Sequence, residues 1–480
     1  MIGLIAQVDP SGTQIPFWEY VGQAAPLVLL ALGFFAILGL EIAGGRRARK
    51  AGAWIVPGTL GLALLLIAAR LAAIWVPPVG VAEQAALDAG RRGFTLLFFA
   101  GAYNLHPFHL VGQAVVLLAA LYTACLSIPF FRGAGELHHR GEYNALLLLM
   151  PLGAMLMISG ANLMVCFIGL EILSLSLYVL CAIRARDRRG VEAGLKYFLL
   201  GAFAAAFFVF GMALVYAGRG SIDLPALILQ WDTPAQVEGL AAVGGAMIFT
   251  ALLFKGSLFP FHMWTPDVYQ GAPTPVTALM STGTKTAAFV LMIAAIRFLP
   301  VELKPAVPFV AVLTMAAGNF GALRQVDLKR MLAYSGIAHA GYLLVGINSL
   351  TAAGSYTGDA RIVIRFILFY LVTYVLANLG AFGVIAFLER KDRRAVTLER
   401  ISGLGRTRPW AAGLLTLFLL SLGGIPPTAG FAGKLLLFSQ AIRQGFHLLA
   451  AAGLLLSAVS LYYYLKVVVW LYMKPAPEGE

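Results

Sequence analysis

Five titratable side chains lie deep inside long apolar stretches of this chain: Glu171, Lys255, Lys285, His339 and Lys434. A charged side chain at the centre of a bilayer costs roughly 2.5–3.5 kcal/mol on insertion scales, so each such residue is a candidate for function. One alone is equally well explained by a structural ion pair or by a side chain that snorkels to the surface. Five together favour a hydrated polar axis, because buried glutamate, lysine and histidine can pass protons when a neighbouring charge changes.

The composition places these side chains in a membrane. The chain has 480 residues, of which 60% are hydrophobic and 12% are charged, whereas soluble domains have about 25% charged residues. Apolar stretches of about 20 residues, each long enough to cross a bilayer, recur along the whole chain. We therefore predict an all-α, polytopic membrane protein with 13–14 transmembrane helices, and a single membrane domain over residues 1–480.

Two of the predicted spans are too long for one straight helix. Pro260 and Pro266 interrupt the seventh span, and Pro426 and Pro427 interrupt the twelfth. A proline inside a membrane helix frees backbone carbonyls, which are tolerated where they face protein or water, so we predict two broken helices. The thirteen spans are expected near residues 22–44, 53–76, 107–131, 142–159, 162–184, 192–217, 240–268, 274–297, 306–323, 329–350, 362–389, 409–445 and 447–473.

Each predicted break has a lysine beside it. Lys255 comes shortly before Pro260, and Lys434 comes shortly after Pro427. Broken helices at corresponding positions of two halves are typical of ion pathways built from inverted repeats. We therefore predict two inverted five-helix repeats, over 142–297 and 306–473, with two unrelated kinks as the alternative.

The basic residues follow the predicted topology. The loops on the side of GRRARK (45–50) hold roughly three times as many lysines and arginines as the loops on the other side, and basic loops stay in the cytoplasm. The net charge of +13 is therefore a topology signal and needs no nucleic acid as partner. We expect a bacterial inner (plasma) membrane protein with its N-terminus on the periplasmic side.

The cysteines give no sign of a metal or redox centre. Cys125, Cys166 and Cys181 all lie inside apolar stretches, without a CxxC motif or a histidine at metal-binding spacing. We therefore expect no zinc site, no iron–sulfur cluster and no disulfide framework.

Four stretches resemble one family. FKGSLFPFHMWTPDVYQGAPTPVTALMSTGTK (254–285) resembles the signature of the antiporter-like membrane subunits of NADH-quinone oxidoreductase (respiratory complex I), and its WTPDVYQGAPTPVTA is most similar to subunit N. GLEILSLSLYVL (169–180), LKRMLAYSGIAHAGYLLVG (328–346) and SLGGIPPTAGFAGKLLLF (421–438) agree with it. The resemblance covers about 140–473, most of the chain.

The resemblance implies a role for each of the five residues. Proton translocation would be coupled to quinone reduction elsewhere in the complex, with Glu171 paired to Lys255. Lys285 would lie at the centre, Lys434 near the outer exit, and His339 would link the two halves. Flavin, iron–sulfur clusters and quinone would belong to partner subunits. The expected partners are other membrane subunits, including a neighbouring antiporter-like subunit, and the lipid bilayer.

Two other functions stay open at this point. A subunit of an Mrp-type cation/proton antiporter would share the broken helices and lysines, although that group typically spells the motif around WLPDA. A membrane scaffold that only anchors other subunits would need no lysines at mid-depth. The family usually has fourteen helices, so the thirteen spans leave one unaccounted for, and 77–106 has no assignment.

Overall fold

The computed structural model confirms a helical membrane architecture. It describes residues 17–43, 46–75, 97–98, 103–104, 106–132, 140–230, 238–297, 299–352, 358–390 and 395–475. The helices are α1 (Phe17–Ala43), α2 (Arg46–Trp75), α3 (Pro107–Arg132), α4 (Arg140–Ser159), α5 (Leu163–Ala182), α6 (Arg188–Arg219), α7 (Leu224–Gln230), α8 (Glu238–Gly256), α9 (Trp264–Gly271), α10 (Thr274–Leu279), α11 (Lys285–Ala295), α12 (Ala306–Leu323), α13 (Leu328–Ala352), α14 (Gly358–Glu389), α15 (Leu404–Thr407), α16 (Pro409–Gly423), α17 (Ala429–Arg443) and α18 (His447–Met473).

Strand structure is minimal in the described residues. Leu97–Phe98 (β1) and Tyr103–Asn104 (β2) form one antiparallel pair, with Leu97 opposite Asn104. These four residues fall in the unassigned stretch 77–106, most of which lies outside the described residues.

Eleven helices of the described part are long and apolar enough to cross a membrane. Two predicted spans are not among them: α13, which contains Lys329, Arg330 and His339, and the broken pair α16–α17. Central and peripheral helices differ in burial. In the most apolar part of Thr274–Ala295 94% of the residues are buried, compared with 22% in that of Ala24–Ile42. The helix through α10 and α11 is therefore the central one.

Both predicted breaks are present, and they have the same local construction. α8 ends at Gly256 and is followed by Ser257 with φ of 62°, while α16 ends at Gly423 and is followed by Gly424 with φ of 78°. A left-handed residue after a helix ends it through a hydrogen bond that spans six residues. That bond runs from the Leu258 N–H to the Leu253 carbonyl at 2.9 Å, and from the Ile425 N–H to the Leu420 carbonyl at 3.1 Å.

The cause of the breaks differs from the sequence-based expectation. Pro260, Pro426 and Pro427 do not kink a continuing helix, because they lie in the links after the helices have already ended. The broken helix is the fourth of five spans both in 142–297 and in 306–473. The division into two inverted repeats stays a prediction.

The predicted span 274–297 is also not a uniform α-helix. Met280–Thr284 forms a π-helical segment between α10 and α11, directly before Lys285. The Thr282 hydroxyl donates to the Ala278 carbonyl at 2.7 Å, and the Thr284 hydroxyl donates to the Met280 carbonyl. Hydroxyls that bond backbone carbonyls compete with the regular helical ladder, and π-helical turns are frequent at functional sites.

Candidate functional site

The structure buries four of the five predicted site residues almost completely. Lys255 is 2% exposed, Lys285 1%, His339 3% and Lys434 5%. Lys255 precedes the last residue of α8, and Lys434 is in the second turn of α17, so each lies beside a helix break. Glu171, on α5, is partly buried. Desolvation of this extent requires a polar partner for each charged group.

Lys255 finds neutral partners. Its Nζ donates to the Ser174 hydroxyl at 2.7 Å and to the Tyr197 hydroxyl at 3.2 Å. It also lies 5.1 Å from the ring centroid of Tyr197 and 5.8 Å from that of Tyr178. All three partners belong to the neighbouring helices α5 and α6.

The predicted pairing of Glu171 with Lys255 is not a direct contact. No ion pair in the described part of the chain joins them within 4.0 Å. The hydroxyl of Ser174, one turn after Glu171 on α5, accepts the hydrogen bond from the Lys255 ammonium instead. The buried Oε1 of Glu171 has no hydrogen-bond partner among the described residues. The two side chains are therefore separated in the structure, and the Lys255 ammonium donates to Ser174.

Lys285 is held by a backbone carbonyl and a tyrosine. Its Nζ donates to the Gly336 carbonyl of α13 and lies 3.5 Å from the hydroxyl of Tyr374. The Tyr374 hydroxyl donates to the Ser281 carbonyl at 3.1 Å and accepts from the Asn378 amide at 3.0 Å. No carboxylate pairs with Lys285 within the described residues. The amine can therefore gain or lose a proton without breaking a contact ion pair.

His339 occupies the centre of a tyrosine cluster. Its Nδ1 is 2.6 Å from the Tyr370 hydroxyl, and its Nε2 is 3.2 Å from the Tyr464 hydroxyl. The ring centroid of Tyr374, the residue beside Lys285, lies 5.0 Å from that of His339. Tyr342, one turn along α13, lies 5.5 Å away by the same measure. Tyr374 therefore contacts both His339 and Lys285 and connects the two.

Lys434 uses a carbonyl released by the second break. Its Nζ donates to the Gly423 carbonyl, at the end of α16, and to the Ser457 hydroxyl, both at 2.9 Å. It also lies 5.0 Å from the ring centroid of Tyr342, which packs against His339. The broken helix thus supplies the acceptor that satisfies a buried ammonium.

These contacts join three of the predicted residues into one buried axis. The axis runs from Lys285 through Tyr374 to His339, and from there through Tyr342 to Lys434. Lys255 and Glu171 form a separate group at one end. Tyr269 is also fully buried, and its hydroxyl has no hydrogen-bond partner among the described residues.

The sequence reasoning missed the tyrosines of this axis. A tyrosine in an apolar helix reads as core, yet a buried phenol usually finds a hydrogen-bond partner. Spacing was an available signal: Tyr370 and Tyr374 are four residues apart and share one face of α14, and Tyr342 lies one turn after His339.

The aspartate of the WTPDVY motif lies outside the axis and joins helices. Asp267 of α9 pairs with Lys196 of α6 at 2.9 Å and with Arg330 of α13 at 2.6 Å. These side chains are 30–43% exposed. The three ion-paired residues anchor the second half of the broken helix α8–α9 to its neighbours.

Comparison with known proteins decides the family. Residues 160–460 match the family model described as NADH:quinone oxidoreductase/Mrp antiporter, transmembrane. The NADH-quinone oxidoreductase subunit N of Trichlorobacter lovleyi is 40% identical over 438 residues, which are 88% of this chain and 87% of that protein. This chain belongs to the NADH-quinone oxidoreductase subunit N family. The subunit N of Myxococcus xanthus agrees, with 40% identity over 427 residues and 82% of each chain covered.

Solved structures agree with membership of the subunit N family. A chain of respiratory complex I from Thermus thermophilus is 34% identical, with a TM-score of 0.74 and coverage of 94% of this chain and 91% of that one. A chain of the Mrp complex from Dietzia sp. DQ12-45-1b has a TM-score of 0.80 at 22% identity, covering 97% of this chain and 82% of that one. That second similarity shows the shared fold. The resemblance inferred from the four motifs is confirmed, and the chain is a membrane subunit of an oxidoreductase of this class.

Proposed function

We propose that this chain translocates protons across a bacterial membrane through the buried axis, driven by quinone reduction in other subunits of a complex I-type enzyme. The observation that supports this most strongly is three almost fully buried lysines whose hydrogen bonds go to hydroxyls and backbone carbonyls. A lysine with a carboxylate in contact would be held in its charged form, whereas these amines can exchange protons. The five site residues are Glu171, Lys255, Lys285, His339 and Lys434.

The coupling would be electrostatic. Inside a low-dielectric protein, moving one charge by a few ångströms changes the proton affinity of its neighbours. A proton from the cytoplasm loads Lys285 while Glu171 neutralises Lys255. When the Glu171–Lys255 pair separates, the uncompensated charge of Lys255 drives the proton from Lys285 past His339 towards Lys434. Lys434 then releases it to the outside.

The assembly and orientation belong to the same proposal. The basic loops would face the cytoplasm, the N-terminus would be periplasmic, and two inverted five-helix repeats would each contain one broken helix. Flavin, iron–sulfur clusters and quinone would be bound by partner subunits. This chain would contact other membrane subunits, among them a second antiporter-like one, and lipid.

Co-purification tests the assignment to a complex I-type enzyme. A tagged copy of the chain, isolated gently from its native membrane, is expected to bring NADH:quinone activity and bound flavin with it, because the redox centres lie in its partners. The same tag on an unrelated membrane protein is the control. Isolation with membrane subunits alone would contradict the assignment and favour an antiporter, which ion exchange in vesicles would then test.

A glycine substitution tests whether the position of Lys285 matters. A Cβ added at Gly336 would lie 2.7 Å from the Lys285 Nζ and 3.1 Å from the Tyr374 hydroxyl, so Gly336→Ala should push the amine off the Gly336 carbonyl. We expect about tenfold slower NADH-driven proton release, since small displacements of reacting groups can cost this much. Gly413→Ala is the matched control, because a Cβ there meets nothing within 4 Å. Equal rates for both variants would show that the placement of Lys285 is unimportant.

A further inference from the structure

A buried ion pair, Lys329 with Glu389, lies outside the axis. The Nζ of Lys329, at the start of α13, is 4.0 Å from Oε2 of Glu389, the last residue of α14. The two side chains are only 6% and 8% exposed. Lys329 donates a hydrogen bond to the Ala272 carbonyl at 2.7 Å, and the Thr274 hydroxyl donates to Oε2 of Glu389. This pair lies on the side of the basic loops, which is cytoplasmic in the proposed topology.

The ion pair is poorly suited to holding the helices together. Its separation of 4.0 Å exceeds hydrogen-bond range, so the charged groups of Lys329 and Glu389 do not bond each other directly. Burying two charges costs more than their attraction returns unless the geometry is good. A proton added to the Glu389 carboxylate would therefore break no hydrogen bond between the two residues.

A stripe of hydroxyls leads from Glu389 to Lys285. Thr274, Thr277 and Ser281 precede Lys285 at intervals of three or four residues, and all of them are fully buried. In the α-helical part this spacing places Thr274 and Thr277 on one face, about 5–6 Å apart, and Ser281 lies in the π-helical segment that follows. Eleven residues of helix span about 16 Å, so the stripe joins the end of the bundle to its middle.

α14 lies along the same stripe. Its Glu389 contacts Thr274 at one end, and its Tyr374 donates to the Ser281 carbonyl and lies beside Lys285 at the other. The two helices therefore run antiparallel, with a polar seam between them. Asn378, which donates to Tyr374, adds a further polar group to the α14 side.

We propose that Glu389 and Lys329 form the uptake gate of a proton route to Lys285, and this inference rests on the proposed function. A proton from the cytoplasm binds the Glu389 carboxylate and weakens its attraction to the Lys329 ammonium, which keeps its charge. The proton then leaves Glu389 along the hydroxyl stripe and binds the neutral amine of Lys285, which restores the carboxylate. Hydroxyls both donate and accept, and the route requires a bridging water molecule between neighbouring hydroxyls.

Glu389→Gln in the intact complex tests the gate, because the amide keeps the shape and the acceptor for Thr274 but takes up no proton. We expect NADH:quinone turnover to fall at least about tenfold, as for the loss of a proton-transferring group. Added formate or imidazole should restore turnover, since small acids carry protons past a missing carboxylate. Glu192→Gln is the matched control, because Glu192 is 63% exposed and pairs with Lys196 on the surface.

Two results would overturn the gate. One is full turnover in Glu389→Gln, and the other is slow turnover that formate and imidazole leave unchanged, as a purely structural ion pair would give. If Glu389→Gln does not assemble, Ser281→Ala decides, because loss of that hydroxyl should slow turnover several-fold and full turnover would refute the route. Lys285→Met, assayed in parallel, separates the proposals: normal pumping there refutes the proposed function, whereas normal turnover in Glu389→Gln alone refutes only the gate.

Discussion

Lys285→Met is expected to abolish the proton pumping that depends on this chain. Methionine keeps the length and most of the volume of lysine, so the packing around Tyr374 and Gly336 survives, but the side chain cannot bind a proton. We expect proton release to fall about a hundredfold, the typical contribution of a positioned proton-transferring group. The measurement is NADH-driven acidification in vesicles that contain the assembled complex, normalised to bound flavin.

Lys285→Arg separates a proton carrier from a structural charge. Arginine stays protonated in proteins, so it preserves the charge and the hydrogen bond to the Gly336 carbonyl but cannot release the proton. We expect it to be as inactive as Lys285→Met. Lys466→Ala, at a half-buried lysine of α18 that takes no part in the axis, is the control and should pump normally. Substantial pumping by Lys285→Arg would show that only a charge is needed there.

Replacement by arginine is expected to be tolerated better at Lys255 than at Lys285. Its proposed role is to present a charge that Glu171 neutralises or leaves uncompensated, so Lys255→Ala should slow turnover by about tenfold or more. Lys255→Arg keeps the charge and can still donate to Ser174 and Tyr197, and we expect it to retain much of the activity. The readout is NADH:quinone turnover of each variant per bound flavin.

Two outcomes for Lys255 would count against this role. Equal loss in Lys255→Ala and Lys255→Arg would mean that Lys255 itself carries the proton. Normal turnover in both would mean that Glu171 and Lys255 take no part in coupling. Co-purifying flavin shows in each case that the complex has assembled.

The sequence predicted the helices well, because long apolar stretches in a membrane protein have few alternatives to helix. The ends of the predicted spans 306–323 and 447–473 agree with α12 and α18. The sequence was less informative about the helix breaks and the π-helical segment, which depend on backbone geometry. The breaks after Gly256 and Gly423 depend on left-handed residues, and the π-helical segment before Lys285 depends on hydroxyl-to-carbonyl bonds. Neither feature changes the hydropathy.

The sequence predicted the charged residues of the site but not the neutral tyrosines and serines that bind them. Burial of Lys255, Lys285 and Lys434 followed from their position in apolar stretches. The hydrogen-bond partners of these lysines could not be predicted in the same way. Any nearby hydroxyl or free carbonyl can accept from a lysine, and several helices supply such groups. The hydrogen bond from Lys255 to Ser174, and the pairing of Lys329 with Glu389, depend on how α5, α13 and α14 lie next to other helices.

Proton release per NADH in the Lys255→Ala complex tests the central claim most directly. The complex would be reconstituted in vesicles, with acidification and NADH oxidation recorded together and the amount normalised to bound flavin. The proposed relay predicts fewer protons released per NADH than in the unmodified complex. An unchanged ratio in a complex assembled at normal levels would show that the Glu171–Lys255 pair does not drive protons along this axis, and the proposed relay would be wrong.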